Sequence, residues 1–251
     1  MAWVETSSAF FRARHDSAHG DDAEWVLDSL EHTRAQLEEL LPRTPGELTV
    51  VLHPGTLSLT MANPLLPLRW LLTAPAARRY IAGWAGRREL HVLTPVVLAE
   101  RASNVPGSRE MLELAPAALY ARRVVTENNQ ELVHARAAGR AAAELRWAWL
   151  LEGGARWLCG QSDYARPAIA RRLREGSRPS FPPGIRDAAL LGGTVFDLLA
   201  REEGERAAVN FATRLHPQGA RAALTRAFGG RSLVHSEGAW RSHLARLASV
   251  A

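Results

Sequence analysis

The apolar and polar positions at the start of the chain predict a strand, a helix and a second strand. Residues 3–14 alternate, with Ala9, Phe11 and Ala13 on one side, which is the period of a strand. A helix is predicted to begin at Gly20 and to end before Pro42. Its apolar stripe consists of Trp25, Val26, Leu30, Leu37, Leu40 and Leu41. Residues 46–53 are apolar and bounded by prolines, so we expect a β-α-β opening.

Residues 54–87 combine apolar side chains with four prolines, which interrupt regular structure. This composition predicts a lid or a pair of short helices over a cleft. Its apolar side chains could meet a membrane or a protein partner, but packing into the core is the favoured interpretation. Residues 88–93 are a candidate for a third strand.

The rest of the chain has helical periodicity. Residues 110–138 are predicted to be helical, in one piece or in two pieces separated by Pro116, and residues 141–159 form a second helix. Four shorter helices follow at residues 190–201, 207–215, 219–228 and 237–247. The predicted fold class is α+β: a small mixed sheet in an N-terminal lobe packs on two central helices, and a helical C-terminal lobe follows. We expect one compact domain whose lobes are residues 1–138 and 139–251.

The composition and charge of the chain argue against several classes of function. The net charge is +5, all 31 basic residues are arginines, and they are dispersed among acids, which is typical of a solvated surface rather than of a nucleic-acid interface. No apolar run reaches the roughly 18 residues of a transmembrane helix, and no signal peptide is visible, so we expect a cytoplasmic protein without a transmembrane segment. Cys159 is the only cysteine, which excludes an intrachain disulfide and favours a small core residue over a nucleophile.

Two segments carry candidate chemistry. The first is Gln130-Glu131-Leu132-Val133-His134, and on one helix Glu127, Gln130, Glu131 and His134 would share a face. The second segment begins 15 residues after His134, reads Trp149-Leu150-Leu151-Glu152-Gly153-Gly154-Ala155, and places Glu152 on the next helix. Its two glycines allow two helices to approach closely.

Together these segments resemble the gluzincin metallopeptidases, the thermolysin-like "peptidase MA" domains, in which a His-Glu-x-x-His helix is followed by a Trp-Leu-x-Glu-Gly-x-Ala segment. The resemblance implies a zincin-like fold with an edge strand beside the cleft that pairs with an extended substrate. It also implies Glu131 as the general base, with His134 and Glu152 as zinc ligands. Gln130 stands where the first histidine ligand belongs, and its neutral carbonyl oxygen suits zinc poorly.

The leading hypothesis is a degenerate gluzincin-like domain, catalytically weak or inactive, whose cleft binds a peptide or protein partner. Zinc, the cofactor of the family, is expected to bind weakly or not at all. The alternative is an active zinc-dependent hydrolase that uses Glu131 as its base with His134, Glu152 and a non-standard ligand, such as Gln130, Glu127, His53 or His91. Tyr164 and His216 are candidates for stabilising the oxyanion of such an enzyme. An arginine-rich nucleic-acid binder ranks last.

Overall fold

The computed structural model describes residues 3–249 and has an α+β fold, as predicted. The strands are β1 (Trp3–Ser7), β2 (Phe11–Asp16), β3 (Leu48–His53), β4 (Gly83–Ala85) and β5 (Glu89–Leu93). The helices of the N-terminal half are α1 (Gly20–Leu40), α2 (Thr56–Ala62), α3 (Leu66–Leu72), α4 (Pro75–Arg78), α5 (Pro95–Arg101), α6 (Ser108–Glu113), α7 (Ala115–Glu127) and α8 (Gln130–Val133). The remaining helices are α9 (Ala137–Arg146), α10 (Ala148–Leu158), α11 (Arg166–Arg174), α12 (Ala188–Glu203), α13 (Glu205–Ala212), α14 (Ala220–Ala227) and α15 (Leu233–Ser249).

The strands form one mixed sheet in the order β1-β2-β3-β5-β4. Strands β2, β3 and β5 are parallel, and β1 and β4 pair antiparallel at the two edges. The predicted single strand over residues 3–14 is instead a hairpin, because the chain turns between Ser8 and Phe11. The Glu31 carboxylate on α1 stabilises this turn by accepting hydrogen bonds from the Ser8 hydroxyl and the Phe10 amide.

The helical stripe predicted for α1 is only partly buried. Val26, Leu30 and Leu37 are buried in the core, whereas Trp25 and Leu40 are exposed at its margins. The predicted strands at residues 46–53 and 88–93 are confirmed as β3 and β5. The opening is therefore β-α-β, preceded by one extra edge strand.

Residues 54–87 form short helices, as one of the two interpretations predicted, and about half of their large apolar side chains pack into or against the core. Leu59 and Leu66 are buried, while an exposed set comprises Leu57, Met61, Leu65, Leu68, Leu71 and Leu72. A seven-residue helix has only two turns, so each helix buries one narrow face. The segment ends in the edge strand β4, which the sequence interpretation did not predict.

The predicted helix over residues 110–138 is interrupted three times, before α7, before α8 and before α9. Pro116 lies in the first turn of α7 rather than at a break within a helix, since α6 ends just before it. The second division is at Asn128 and Asn129. Asn129 is extended, and its buried side chain donates to the carbonyls of Val125 and Ala212. The motif segment therefore forms a separate single-turn helix, α8.

The predicted helix over residues 141–159 is likewise two helices, α9 and α10, which meet at the buried Trp147. Helix α10 lies at the centre, between α7 and α12. Gly153 and Gly192 let α10 and α12 touch backbone to backbone: a Cβ atom built on Gly153 would lie 2.3 Å from the Gly192 carbonyl carbon. The close approach predicted from the glycine pair is confirmed.

The C-terminal helices agree with the four predicted segments, with shifted ends, and α11 is an addition. One cluster of buried apolar residues runs from the sheet through α7 and α10 to α15, so both predicted lobes contribute to the same core. Within residues 3–249 no helix combines the length and apolarity required to cross a bilayer.

Candidate functional site

The motif residues Gln130, Glu131 and His134 lie at the surface. All three are exposed, and the Gln130 backbone carbonyl is bonded to His134 twice, to the backbone amide at 3.0 Å and to Nδ1 at 2.9 Å. The predicted common face with Glu127 is wrong, because α7 ends at Glu127 and the chain is extended at Asn129. Glu127 instead forms an ion pair with Arg123 at 2.6 Å.

Glu152 lies elsewhere, in the interior between α10 and α7. It is turned toward α7, as predicted, and its side chain is 13% exposed. Its Oε1 accepts hydrogen bonds from Arg69 Nη2 at 2.7 Å and from Arg122 Nε at 2.9 Å. The partners of Glu152 are therefore two guanidinium groups, one from α3 and one from α7.

The charges around Glu152 determine its protonation state. Burial by itself would raise the pKa of the Glu152 carboxyl, but the positive charges of Arg69, Arg122 and Arg156 outweigh burial and lower the pKa to about 2. Glu152 is therefore ionised at neutral pH.

The ionic network extends from Glu152 along α9. Arg122 Nη2 donates to Glu144 at 3.1 Å, and Arg140 Nε donates to the same carboxylate at 2.9 Å. Burial acts to raise the pKa of Glu144, and the two arginines lower it overall. On the other side of Glu152, Arg156 is buried and donates to the Tyr80 carbonyl. Four arginines thus surround two carboxylates, and the cluster carries a net positive charge.

The residues as placed do not fit a zinc ion. A zinc ligand set needs three or four donors converging at about 2 Å, whereas none of the exposed α8 residues lines the groove that Glu152 lines. Both arginines bond to Glu152 Oε1, and a cation bound at the other carboxylate oxygen would lie beside the positive charges of Arg69 and Arg122. Among residues 3–249 no group of three or more histidine, cysteine, aspartate or glutamate side chains is arranged to hold a metal.

Glu152 lies at the floor of an open apolar groove with a volume of about 490 Å³. One wall is α3, and the other is formed by α9, the start of α10 and the start of α12. The lining residues are Leu65, Leu68, Arg69, Leu72, Thr73, Arg122, Ala141, Glu144, Leu145, Ala148, Glu152, Ile185, Ala188 and Ala189. Arg69, Arg122 and Glu152 also line a smaller cleft that reaches the edge strand β4 at Gly83.

The other sequence candidates lie apart from this groove. His53 on β3 and His91 on β5 contact each other, with 3.0 Å between Nε2 and Nδ1, and Trp84 stacks on His91. Burial lowers the pKa of His53 to about 4, so the pair is neutral at pH 7. His216 lines a groove between α13 and α14, and Tyr164 is exposed at the end of a short 3₁₀ turn.

Cys159 is half-buried at the end of α10. Burial raises the pKa of its thiol to about 11, which disfavours the nucleophilic thiolate. This agrees with the structural role predicted for it.

The sequence interpretation identified Glu152 but missed Arg69 and Arg122. Each of these arginines stands inside an apolar run, in Leu-Arg-Trp-Leu and in Tyr-Ala-Arg-Arg-Val-Val. A charge in such a run must be paired when the run is buried, and that requirement was the available signal. It indicates a buried acidic partner without identifying which one.

Comparisons of the chain with protein-family models, with curated proteins and with solved structures found no match. The resemblance to the gluzincins therefore depends on the two motif segments alone. What the geometry adds is a separate observation: an apolar groove whose floor is an arginine–glutamate cluster.

Proposed function

We propose that this protein is a gluzincin-like binding domain that does not hydrolyse peptides and that holds a peptide or protein segment in the groove between α3 and α9–α10. One observation carries the proposal. Glu152, which the resemblance assigns to zinc, is bonded to Arg69 and Arg122 at the floor of an open apolar groove. The carboxylate that would bind the metal is paired with two arginines, and the groove beside it is open.

The loss of hydrolysis follows from where the motif residues lie. Glu131 is exposed on α8, and a carboxylate acts as a general base in such enzymes only on a water that the metal polarises. Gln130 offers an oxygen donor that zinc binds poorly. Neither residue shares a hydrogen bond with Glu152, whose partners are Arg69 and Arg122.

Peptide binding follows from the form and chemistry of the groove. Its walls present leucine side chains from α3 and Leu145 from α9, which can accept apolar side chains of a ligand. The cluster at the floor is charged and ordered by its own ion pairs, so it can bond to polar backbone groups without rearrangement.

Selection from a random-peptide phage library tests the proposal. We expect an enriched consensus, and a synthetic peptide of that sequence should bind the purified protein in a fluorescence-anisotropy titration. Leu145→Asp places a charge on the groove wall and should weaken binding by about tenfold or more. Val234→Asp is the matched control, because Val234 is an exposed aliphatic residue on α15, outside the groove.

Two results would contradict the proposal. One is a failure of peptide binding in the groove: either no consensus is enriched, or Leu145→Asp leaves the peptide affinity unchanged. The other is stoichiometric zinc in the purified protein together with casein cleavage that Glu131→Gln abolishes. The second result would support the alternative, an active metallohydrolase that uses Glu131.

A further inference from the structure

A second surface, separate from the cationic floor of the groove, stands out by its apolar side chains. On the consecutive helices α2 and α3, Leu57 is 75% exposed, Met61 76% and Leu71 69%. None of the three lines the groove. Leu57 and Met61 are four positions apart on α2 and share a face, and exposed apolar side chains grouped on one short segment are typical of an interaction surface.

Charge around this segment is mostly positive. Residues 54–81 contain three arginines and no acid, and residues 163–187 contain six arginines and three acids, Asp163, Glu175 and Asp187. The two stretches are adjacent: the Ala74 amide donates to the Arg186 carbonyl at 3.0 Å, and the Ala76 amide donates to Glu175 at 3.1 Å. Glu175 is further neutralised by an ion pair with Arg171.

Some of the arginines beside the apolar helices can meet an external anion, whereas Arg69, Arg171 and Arg172 are paired with Glu152, Glu175 and Asp187. Arg174, Arg178 and Arg186 are exposed. Arg78 donates to the carbonyls of Thr73 and Leu71, which places its charge at the C-terminal end of α3. The apolar face is therefore bordered by cations at the end where α3 meets α4 and α11.

We propose that α2 and α3 dock this protein on the surface of an anionic lipid bilayer. Leu57, Met61 and Leu71 enter the boundary between head groups and acyl chains, and the adjacent arginines bind lipid phosphates. An apolar face with a cationic border is the combination that interfacial helices use. An anionic bilayer supplies both parts of the match at one surface, an apolar interior and a layer of phosphates. Docking of this kind needs no membrane-spanning helix.

Sedimentation with lipid vesicles tests the proposal on the full-length protein. We expect binding to phosphatidylcholine vesicles that contain phosphatidylglycerol, and little binding to phosphatidylcholine alone. The triple variant Leu57→Asn, Met61→Asn, Leu71→Asn should lower the partition coefficient by at least about tenfold, because each exposed apolar side chain contributes to insertion. Val234→Asn removes an equally exposed apolar residue from α15 and should bind as the parent does.

The arginine border has its own variant. Arg174→Gln with Arg178→Gln should weaken binding to anionic vesicles on the order of fivefold per charge removed. High salt should weaken the parent in the same way, because salt screens the attraction to lipid phosphates. Thermal unfolding of each variant checks that the fold is retained, which we expect since every substituted side chain is exposed.

Three outcomes would overturn the proposal. The first is no binding of the parent protein to anionic vesicles. The second is binding that the triple variant leaves unchanged. The third is a parent protein that does not bind vesicles and that is a dimer in analytical ultracentrifugation, while the triple variant is a monomer. The apolar face would then be an interface between two copies. Peptide binding in the groove does not depend on these results, because Leu145→Asp leaves α2 and α3 intact.

Discussion

Glu152 provides the sharpest test of the ionic cluster, through the isosteric substitution Glu152→Gln. The substitution removes one negative charge from among Arg69, Arg122 and Arg156 and keeps the side-chain shape. A pKa lowered from 4.5 to about 2 corresponds to about 3 kcal/mol of preference for the ionised form in the folded state. We therefore expect Glu152→Gln to lower the free energy of unfolding at pH 7 by about 3 kcal/mol, measured by urea denaturation.

The lowered pKa of Glu152 also determines how its contribution to the free energy of unfolding depends on pH. The pKa of Glu152 is lower in the folded state, so its contribution to stability is complete above the unfolded pKa and is lost as the pH falls from about 4.5 to about 2. At pH 3.5 the stability difference between the parent protein and Glu152→Gln should have fallen to about 2 kcal/mol.

Glu131→Gln is the control, because Glu131 is exposed and its substitution should change stability by less than about 0.5 kcal/mol. Equal stability of Glu152→Gln and the parent at pH 7, or a difference that does not vary with pH, would refute the assignment of Glu152 to the arginine cluster.

Three further predictions follow from other contacts. Gln130→His should not raise zinc affinity in isothermal titration calorimetry, since position 130 is exposed and separated from Glu152; a gain of tenfold or more would show that the motif residues converge in solution. Gly153→Ala should lower the free energy of unfolding in urea by at least about 2 kcal/mol, because the added Cβ would meet the Gly192 backbone. Gly139→Ala is the control: Gly139 has open space around it, so the substitution should stabilise α9 by about 0.5–1 kcal/mol. The parent protein should lose stability as the pH falls from 6.5 to 4, because in this range the folded state, with a His53 pKa of about 4, binds fewer protons than the unfolded chain. His53→Gln should reduce that loss in a pH series of denaturation curves. An unchanged profile would contradict burial of a neutral His53.

The elements that the sequence predicts correctly are those whose signal is local. Strands β3 and β5 are apolar runs next to prolines or charged loops, and their extent can be read from the residues themselves. The hairpin of β1 and β2 was missed because alternation continues through its turn. The turn is fixed by Glu31, which comes from another element and carries no local signal.

The candidate site shows the same limit more strongly. The break before α8 depends on Asn129, whose side chain bonds to Ala212 and Leu215, more than 80 positions away. The partner of Glu152 on α3, Arg69, is equally distant in the chain. The sequence predicted correctly that Glu152 faces the preceding long helix, α7. Its partners could not be chosen from spacing alone, because they depend on how α3 packs against α10.

Helix α3 joins two parts of the molecule in a way that has a thermodynamic consequence. It presents Leu68 to the groove, Leu71 to the exterior and Arg69 to Glu152. A ligand that shifts this helix by occupying the groove also moves the apolar face that we assign to lipid. Reciprocity then requires that vesicles change the affinity for the ligand by the same factor as the ligand changes the affinity for vesicles.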